Sequence, residues 1–212
     1  MTVGRREIER SPVNAHLQWL ERLLWFAAVG LLGFSLFMLL QGRIYQLYLN
    51  AQFEDALSEQ QLASIRRTPE FLKSASEIAR SAPEPYLGRV DIPSLDLSVM
   101  LLEGVDDETL RFGLGHIPGT KLPGQGGNSG VAGHRDTFFR GLSKIREGDK
   151  ITVKTLAAEH RYVVDIIRIV NPDDIAVLAD SNEPTLTLVT CYPFYLVGPA
   201  PKRFIVQASL VR

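Results

Sequence analysis

From residue 23 to residue 40 the chain reads LLWFAAVGLLGFSLFMLL, a run with no charged side chain and one serine. At a rise of about 1.5 Å per residue this run can cross the hydrocarbon layer if Trp19, Leu20 or the residues after Leu40 share the interfaces. It is longer than a signal-peptide core of about 7–15 residues. QGRIYQLYLN follows it where a cleavage site would need small residues. A core helix seldom lacks polar residues on every face, so the pattern predicts a retained signal anchor. Arg5, Arg6, Arg10 and Arg22 precede the span and only Arg43 follows closely, while Glu7, Glu9 and Glu21 carry little weight. Residues 1–22 are therefore predicted to be cytoplasmic, with the chain crossing a plasma membrane once and the remainder extracytoplasmic.

Beyond the span the periodicity changes twice. Residues 41–84, as in QFEDALSEQQLASIRR and FLKSASEIAR, read as polar helix with a thin apolar stripe (Leu57, Gln61 and Ser64, or Phe71 and Ile78). That pattern predicts a helical stalk or linker, broken at Thr68-Pro69. The Pro-rich SAPEPYLG marks its end, and the folded domain is expected over 85–212. There the runs GRVDIP, LSVMLLEG, NSGVAG, DKITVKT, HRYVVDIIRIV, TLTLVT and RFIVQASLV read as short strands between turn-rich segments. DDETLRFGLG and PDDIAVLAD read as short helices with acidic starts, which suit the helix dipole. The predicted fold class is all-β: a closed barrel of about seven or eight strands with small helical insertions.

Composition changes this picture in two places. A net charge of −1 argues against a nucleic-acid partner, which a basic face or stripe would announce. The chain also has one cysteine, Cys191, so an internal disulfide is impossible. Outside the cytoplasm an unpaired thiol is either a small buried hydrophobe or a reactive group. In a regular strand, Leu186, Leu188 and Thr190 share one face, while Thr185, Thr187, Val189 and Cys191 share the other. With the leucines in the core, Cys191 points outward. The last strand repeats the split, with Phe204, Val206 and Ala208 against Arg203, Gln207 and Ser209, although Ile205 interrupts it. Antiparallel pairing across YPFYLVGPAPK then brings Arg203 beside Cys191. There it favours a thiolate and can donate to a developing oxyanion.

A thiol of ordinary pKa is only a few per cent ionised at neutral pH, so a nucleophile gains from a nearby base. Of the four histidines, His16 falls on the cytoplasmic side and His160 lies inside a strand. His116 and His134 both end Gly-rich segments. His134 follows an apolar strand end and precedes a polar turn, and the pattern favours it.

VAGHRDTFFRGL, TLVTC and YLVGPAPKRFIV together resemble the sortases, bacterial membrane-anchored cysteine transpeptidases. TLVTC matches the family's TLxTC signature, and its His–Cys–Arg order falls on His134, Cys191 and Arg203. The likeness runs over roughly residues 86–212, and CYPF followed by APKRFIV most resembles class D. The resemblance implies a sortase-like catalytic barrel whose Cys191 attacks the threonine carbonyl of an LPxTG-like sorting signal. A thioester would then pass to an amine acceptor such as a cell-wall peptide. His134 would serve as acid and then base, Arg203 would hold substrate and oxyanion, and Thr190 would help bind the peptide. No cofactor or metal is implied, and the partners are a secreted or surface protein, the acceptor, and membrane lipid around the N-terminal helix. The aspartate–proline–aromatic lid and second span of pilin-polymerising sortases are not seen, which favours surface anchoring.

Several rival readings are weaker. A hydrolysing cysteine peptidase shares the acyl intermediate, and an L,D-transpeptidase would carry serine and glycine before the thiol, unlike VTCYPF. A membrane-tethered binding module would leave Cys191 buried and inert. Zinc on His116, His134, His160 and Cys191 lacks short ligand spacing. Asp106, Asp107, Glu108, Asp173 and Asp174 suit helix starts better than calcium, and LPGQG at 122–126 reads as a turn.

Overall fold

In the computed structural model, residues 12–65 and 86–211 are described. One helix, α1 (Pro12–Ile65), is followed by eight strands: β1 (Gly88–Ile92), β2 (Leu97–Glu103), β3 (Leu114–His116), β4 (Asn128–Ala132), β5 (Lys150–Lys154), β6 (Glu159–Val170), β7 (Thr185–Tyr192) and β8 (Lys202–Leu210). They close into a barrel in the order β1-β2-β3-β4-β7-β8-β6-β5. Two neighbouring pairs, β2/β3 and β4/β7, are parallel and the rest antiparallel. The strand missing from the predicted set is β3. Its three residues lie within FGLGH, which was expected to continue a helix. That helix, α2, is shorter (Asp107–Phe112) and ends at Gly113. Asp106 caps it, accepting from Thr109 N at 2.9 Å and from the Thr109 hydroxyl at 2.8 Å, which holds its carboxyl below the usual range. PDDIAVLAD forms only a short 3₁₀ turn, Ile175–Leu178.

The chain divides into two units at Arg43/Ile44. In the first, every described side chain from Gln18 to Leu40 is exposed, including Trp25, Phe26, Leu32 and Phe37. A helix this apolar on all sides, and this long, can cross a membrane.

The second unit holds the barrel. Its interior follows the period-2 pattern: Val90 and Ile92 on β1, Ile151 and Val153 on β5, Leu186 and Leu188 on β7, and Phe204, Val206 and Ala208 on β8. On β6 the register with β8 shifts between Val164 and Ile166, leaving Asp165 as the extra residue of a bulge.

α1 corrects one expectation. The stretch 41–84 was read as a stalk, yet in its described part Leu49 and Phe53 are buried with Tyr86, Met100 and Leu102, and Tyr45 and Leu57 pack beside them. These four helix residues are spaced by four and form one stripe. The Gln46 amide completes the docking, accepting from Met100 N at 3.0 Å and donating to Phe112 O. Strand β2 is consequently buried on both faces, which explains its unbroken run VMLL. The Thr68-Pro69 break and most of SAPEPYLG lie outside the described residues.

Candidate active site

Three adjacent strands build the site. The parallel register of β4 on β7 runs from Asn128↔Thr185 to Ala132↔Val189. Two positions further along each chain stand His134 and Cys191. Backbone bonds carry the pairing past the end of β4: Gly133 N donates to Val189 O at 3.2 Å, and the Thr190 hydroxyl donates to Gly133 O at 2.7 Å. A Cβ on Gly133 would stand 2.7 Å from Phe139 and 2.8 Å from Leu114, so only glycine lets the chain pass this close to the core. On the other side of β7, Cys191 pairs directly with Arg203 of β8. Neighbouring strands lie about 4.8 Å apart. The imidazole-, thiol- and guanidinium-bearing residues therefore stand at one level, at one end of three neighbouring strands.

The sulfur is a free thiol and half-buried. Arg203 is half-buried too, and its Nη1 donates to Lys202 O at 3.1 Å and Ala200 O at 3.4 Å. His134 is half-buried, and among the described residues its ring has no hydrogen-bond partner. The other candidate, His116, is 4% exposed. Its Nδ1 lies 2.9 Å from Glu103 Oε2 and its Nε2 lies 3.1 Å from Lys121 O, so both nitrogens are engaged in holding loops. His160, on β6, packs its ring against Gly124, where a Cβ would meet it at 2.0 Å. Its strand also lies away from β7 around the barrel.

Thr190 does not stand where the expected peptide-binding role needs it. It is 2% exposed, on the inward face, with its hydroxyl given to Gly133 O. Its place is in joining the ends of β4 and β7 rather than in touching a substrate. The outward face of β7 is itself partly covered. Thr187, outward as the alternation requires, is fully buried and donates to Asn128 Oδ1 at 2.7 Å. Asn128 Nδ2 donates to Val177 O at 3.0 Å and Ala179 O at 3.1 Å, and Gln207 Nε2 to Val177 O at 3.2 Å. These bonds fix the β6–β7 connection across the outer surface of β4, β7 and β8. Ile205, the residue that interrupted the outward series on β8, is 1% exposed on that same covered face.

The β7–β8 connection, between Cys191 and Arg203, is held in two ways. Tyr192, Phe194 and Phe204 form an aromatic cluster, with Phe194 and Phe204 centroids 5.1 Å apart. Arg135, next to His134, donates from Nη1 to Pro193 O at 3.0 Å and from Nη2 to Gly198 O at 2.6 Å. Sequence reasoning missed Arg135, Asn128 and Thr187. A lone loop arginine and a buried polar pair have no periodicity to betray them.

Comparison with known proteins gives the chain's relatives. The model of the sortase domain family matches residues 90–211. Sortase D of Bacillus subtilis (strain 168) is 32% identical over 170 residues, 76% of this chain and 86% of that protein. Sortase A of Bacillus anthracis is 28% identical over 142 residues, covering 64% of this chain and 66% of that one. Among solved structures, a Clostridium perfringens Sortase D5 transpeptidase superposes with a TM-score of 0.64 at 25% identity, covering 79% of this chain and 99% of that one. Sortase C1 from Streptococcus agalactiae gives 0.58 at 32% identity, covering 62% and 70%. With its barrel, its TLVTC strand and these relatives, the chain belongs to the sortase family, on the class D side, and is an enzyme of the cysteine transpeptidase type.

Proposed function

We propose that this sortase cleaves an LPxTG-like sorting signal after its threonine and joins the freed acyl group to an amine, with Cys191, His134 and Arg203 as its catalytic residues. The Cys191 thiolate attacks the threonine carbonyl carbon. The tetrahedral oxyanion is met by the Arg203 guanidinium and backbone N–H groups. Collapse breaks the peptide C–N bond, and protonated His134 gives its proton to the departing amine. A thioester remains on Sγ. The acceptor amine then attacks it, losing a proton to His134, and the thiolate leaves as the new amide forms. No net oxidation or hydrolysis occurs.

The single observation that supports this reading is the common level of His134, Cys191 and Arg203 on three neighbouring strands, set by the β4/β7 and β7/β8 registers. The enzyme would act outside the cytoplasm, held by the membrane-crossing part of α1 with its N-terminus inside. Its donor would be a surface protein carrying the signal near its C-terminus, and its acceptor a cell-wall peptide amine. The test is full-length enzyme in detergent with an LPxTG-like peptide and an added amine, followed by mass spectrometry. Ligated product in the wild type, and none with Cys191→Ala, is the expected result. Cleavage by water alone despite excess amine would replace the transpeptidase reading with a peptidase one. Product from Cys191→Ala at the wild-type rate would remove Cys191 from the mechanism.

A further inference from the structure

His134 lies between two residues that are both tied across to β7 or its loop, while its own ring has no hydrogen-bond partner among the described residues. On one side, Gly133 is bonded through both its N–H and its carbonyl to Val189 and Thr190. On the other, Arg135 spans the β7–β8 connection, bonding Pro193 O near its start and Gly198 O near its far end. That connection begins two residues after Cys191 and ends just before Lys202 and Arg203. Its tip is largely open to solvent: Tyr195 is 74% and Val197 97% exposed, and Arg140 lies above the Tyr195 ring at 5.9 Å.

From this arrangement we infer that Arg135 is a positioning residue: its guanidinium latches the β7–β8 loop to the segment carrying His134. One side chain thereby steadies the His134 segment, which the strand registers bring level with Cys191 and Arg203, against the loop between those two residues. A planar fork suits the task, because two N–H donors at fixed geometry reach two carbonyls that a single ammonium cannot hold together. The charge strengthens both bonds. The connection over residues 193–201 leads from the strand of Cys191 to the strand of Arg203, so its drift would disturb the ends of both. A displacement of about 1 Å in such a site can cost roughly a hundredfold in rate. The inference rests on the proposed roles of His134, Cys191 and Arg203, and the test separates the two.

The experiment uses full-length enzyme in detergent, as wild type, Arg135→Ala, Arg135→Lys, Cys191→Ala and His134→Ala. Each is assayed for kcat and KM of transpeptidation, and for chymotrypsin nicking at Tyr195 and Leu196. Arg135→Ala is expected to lower kcat about ten- to a hundredfold with KM changed far less, because alignment rather than peptide contact is lost. Nicking of the loop is expected to accelerate about tenfold in that variant. Arg135→Lys, which can keep one of the two carbonyl bonds, is expected to fall between wild type and Arg135→Ala in both measurements. If Arg135→Ala unfolds, the lysine variant alone carries the test.

A lysine variant equal to wild type in both kcat and nicking overturns the latch, as does an alanine variant whose nicking is unchanged. A rise in KM with kcat preserved also overturns it, by showing a substrate contact instead. Full activity in Cys191→Ala or His134→Ala would strike the proposed site, while the nicking comparison still judges the latch.

Discussion

Two outer faces of the same barrel are built on opposite principles. On the β1–β5–β6 side, charges saturate one another. Arg89 reaches Asn50 Oδ1, Glu54 and Asp91, Lys154 lies 3.8 Å from Asp91 and 3.9 Å from Glu159, and Arg161 pairs with Glu159 at 2.8 Å. The Ser98 hydroxyl also donates to Asp91. A cleft of about 550 Å³ opens among these residues. On the β4–β7–β8 side the backbone is pinned by many bonds, while the Cys191 thiol and the His134 ring have no hydrogen-bond partner among the described residues. Reactive chemistry needs unsatisfied side chains on an immobile frame, and among the described residues the second face combines the two.

The largest effects should fall on the three groups proposed to act in the reaction. Cys191→Ala should bring ligation of an LPxTG-like peptide to background while unfolding stability moves by no more than about 0.5 kcal/mol, since no described residue bonds the thiol. His134→Ala should lower kcat about 10²–10⁴-fold and Arg203→Ala about 10²–10³-fold. A loss of stability instead of rate in either variant would make the two faces alike.

The partnered groups should answer in the other currency. His116→Ala should cost about 1–3 kcal/mol in denaturant unfolding, by stranding the groups its ring nitrogens engage. Turnover per folded molecule should be retained, and catalytic loss there would transfer the acid–base role to His116.

Tyr162 gives a smaller and pH-dependent effect. Its buried hydroxyl accepts from Gly124 N at 2.9 Å, and burial pushes the phenol above its ordinary value. Tyr162→Phe should cost about 1 kcal/mol at neutral pH. The neutral phenol is the favoured folded form. Its contribution is complete below about pH 10, the unfolded value, and declines as pH rises through the raised folded one. The stability gap between wild type and Tyr162→Phe should therefore narrow in strong alkali, read from unfolding curves at stepped pH. The smallest effect belongs to the charged face. Arg161→Ala, at a side chain 73% exposed, should change stability by about 0.5 kcal/mol or less and leave ligation untouched.

Much of the site is legible in two short stretches. The alternation of TLTLVTC against RFIVQAS sets Leu186, Leu188, Phe204 and Val206 inward, so Cys191 and Arg203 fall outward and opposite each other, as the register has them. The same alternation places Thr190 inward, which is the physical reason it holds the frame and does not face a peptide. The histidine was harder. Glycine-rich surroundings are common to His116 and His134, and the partners of His116 (Glu103, Lys121 and Thr120) separate them. The docking of α1 was obscured because its stripe is one residue wide at each turn. Its burial depends on what covers it, the outward Met100 and Leu102 of β2.

Local chemistry alone determined the apolar run of α1, the inward and outward faces of each strand, and the presence of a residue type able to form a thioester. Those follow from geometry that repeats every two or 3.6 residues and needs no distant partner. The parallel seating of β4 on β7 was decided by the tertiary structure, which joins Gly133 to Thr190 across 57 positions of chain. The bridging of the β7–β8 loop by Arg135 and the folding of α1 onto β2 were decided there too. Such contacts depend on which loops close and which surfaces remain to be covered, and no periodicity along the chain records that choice.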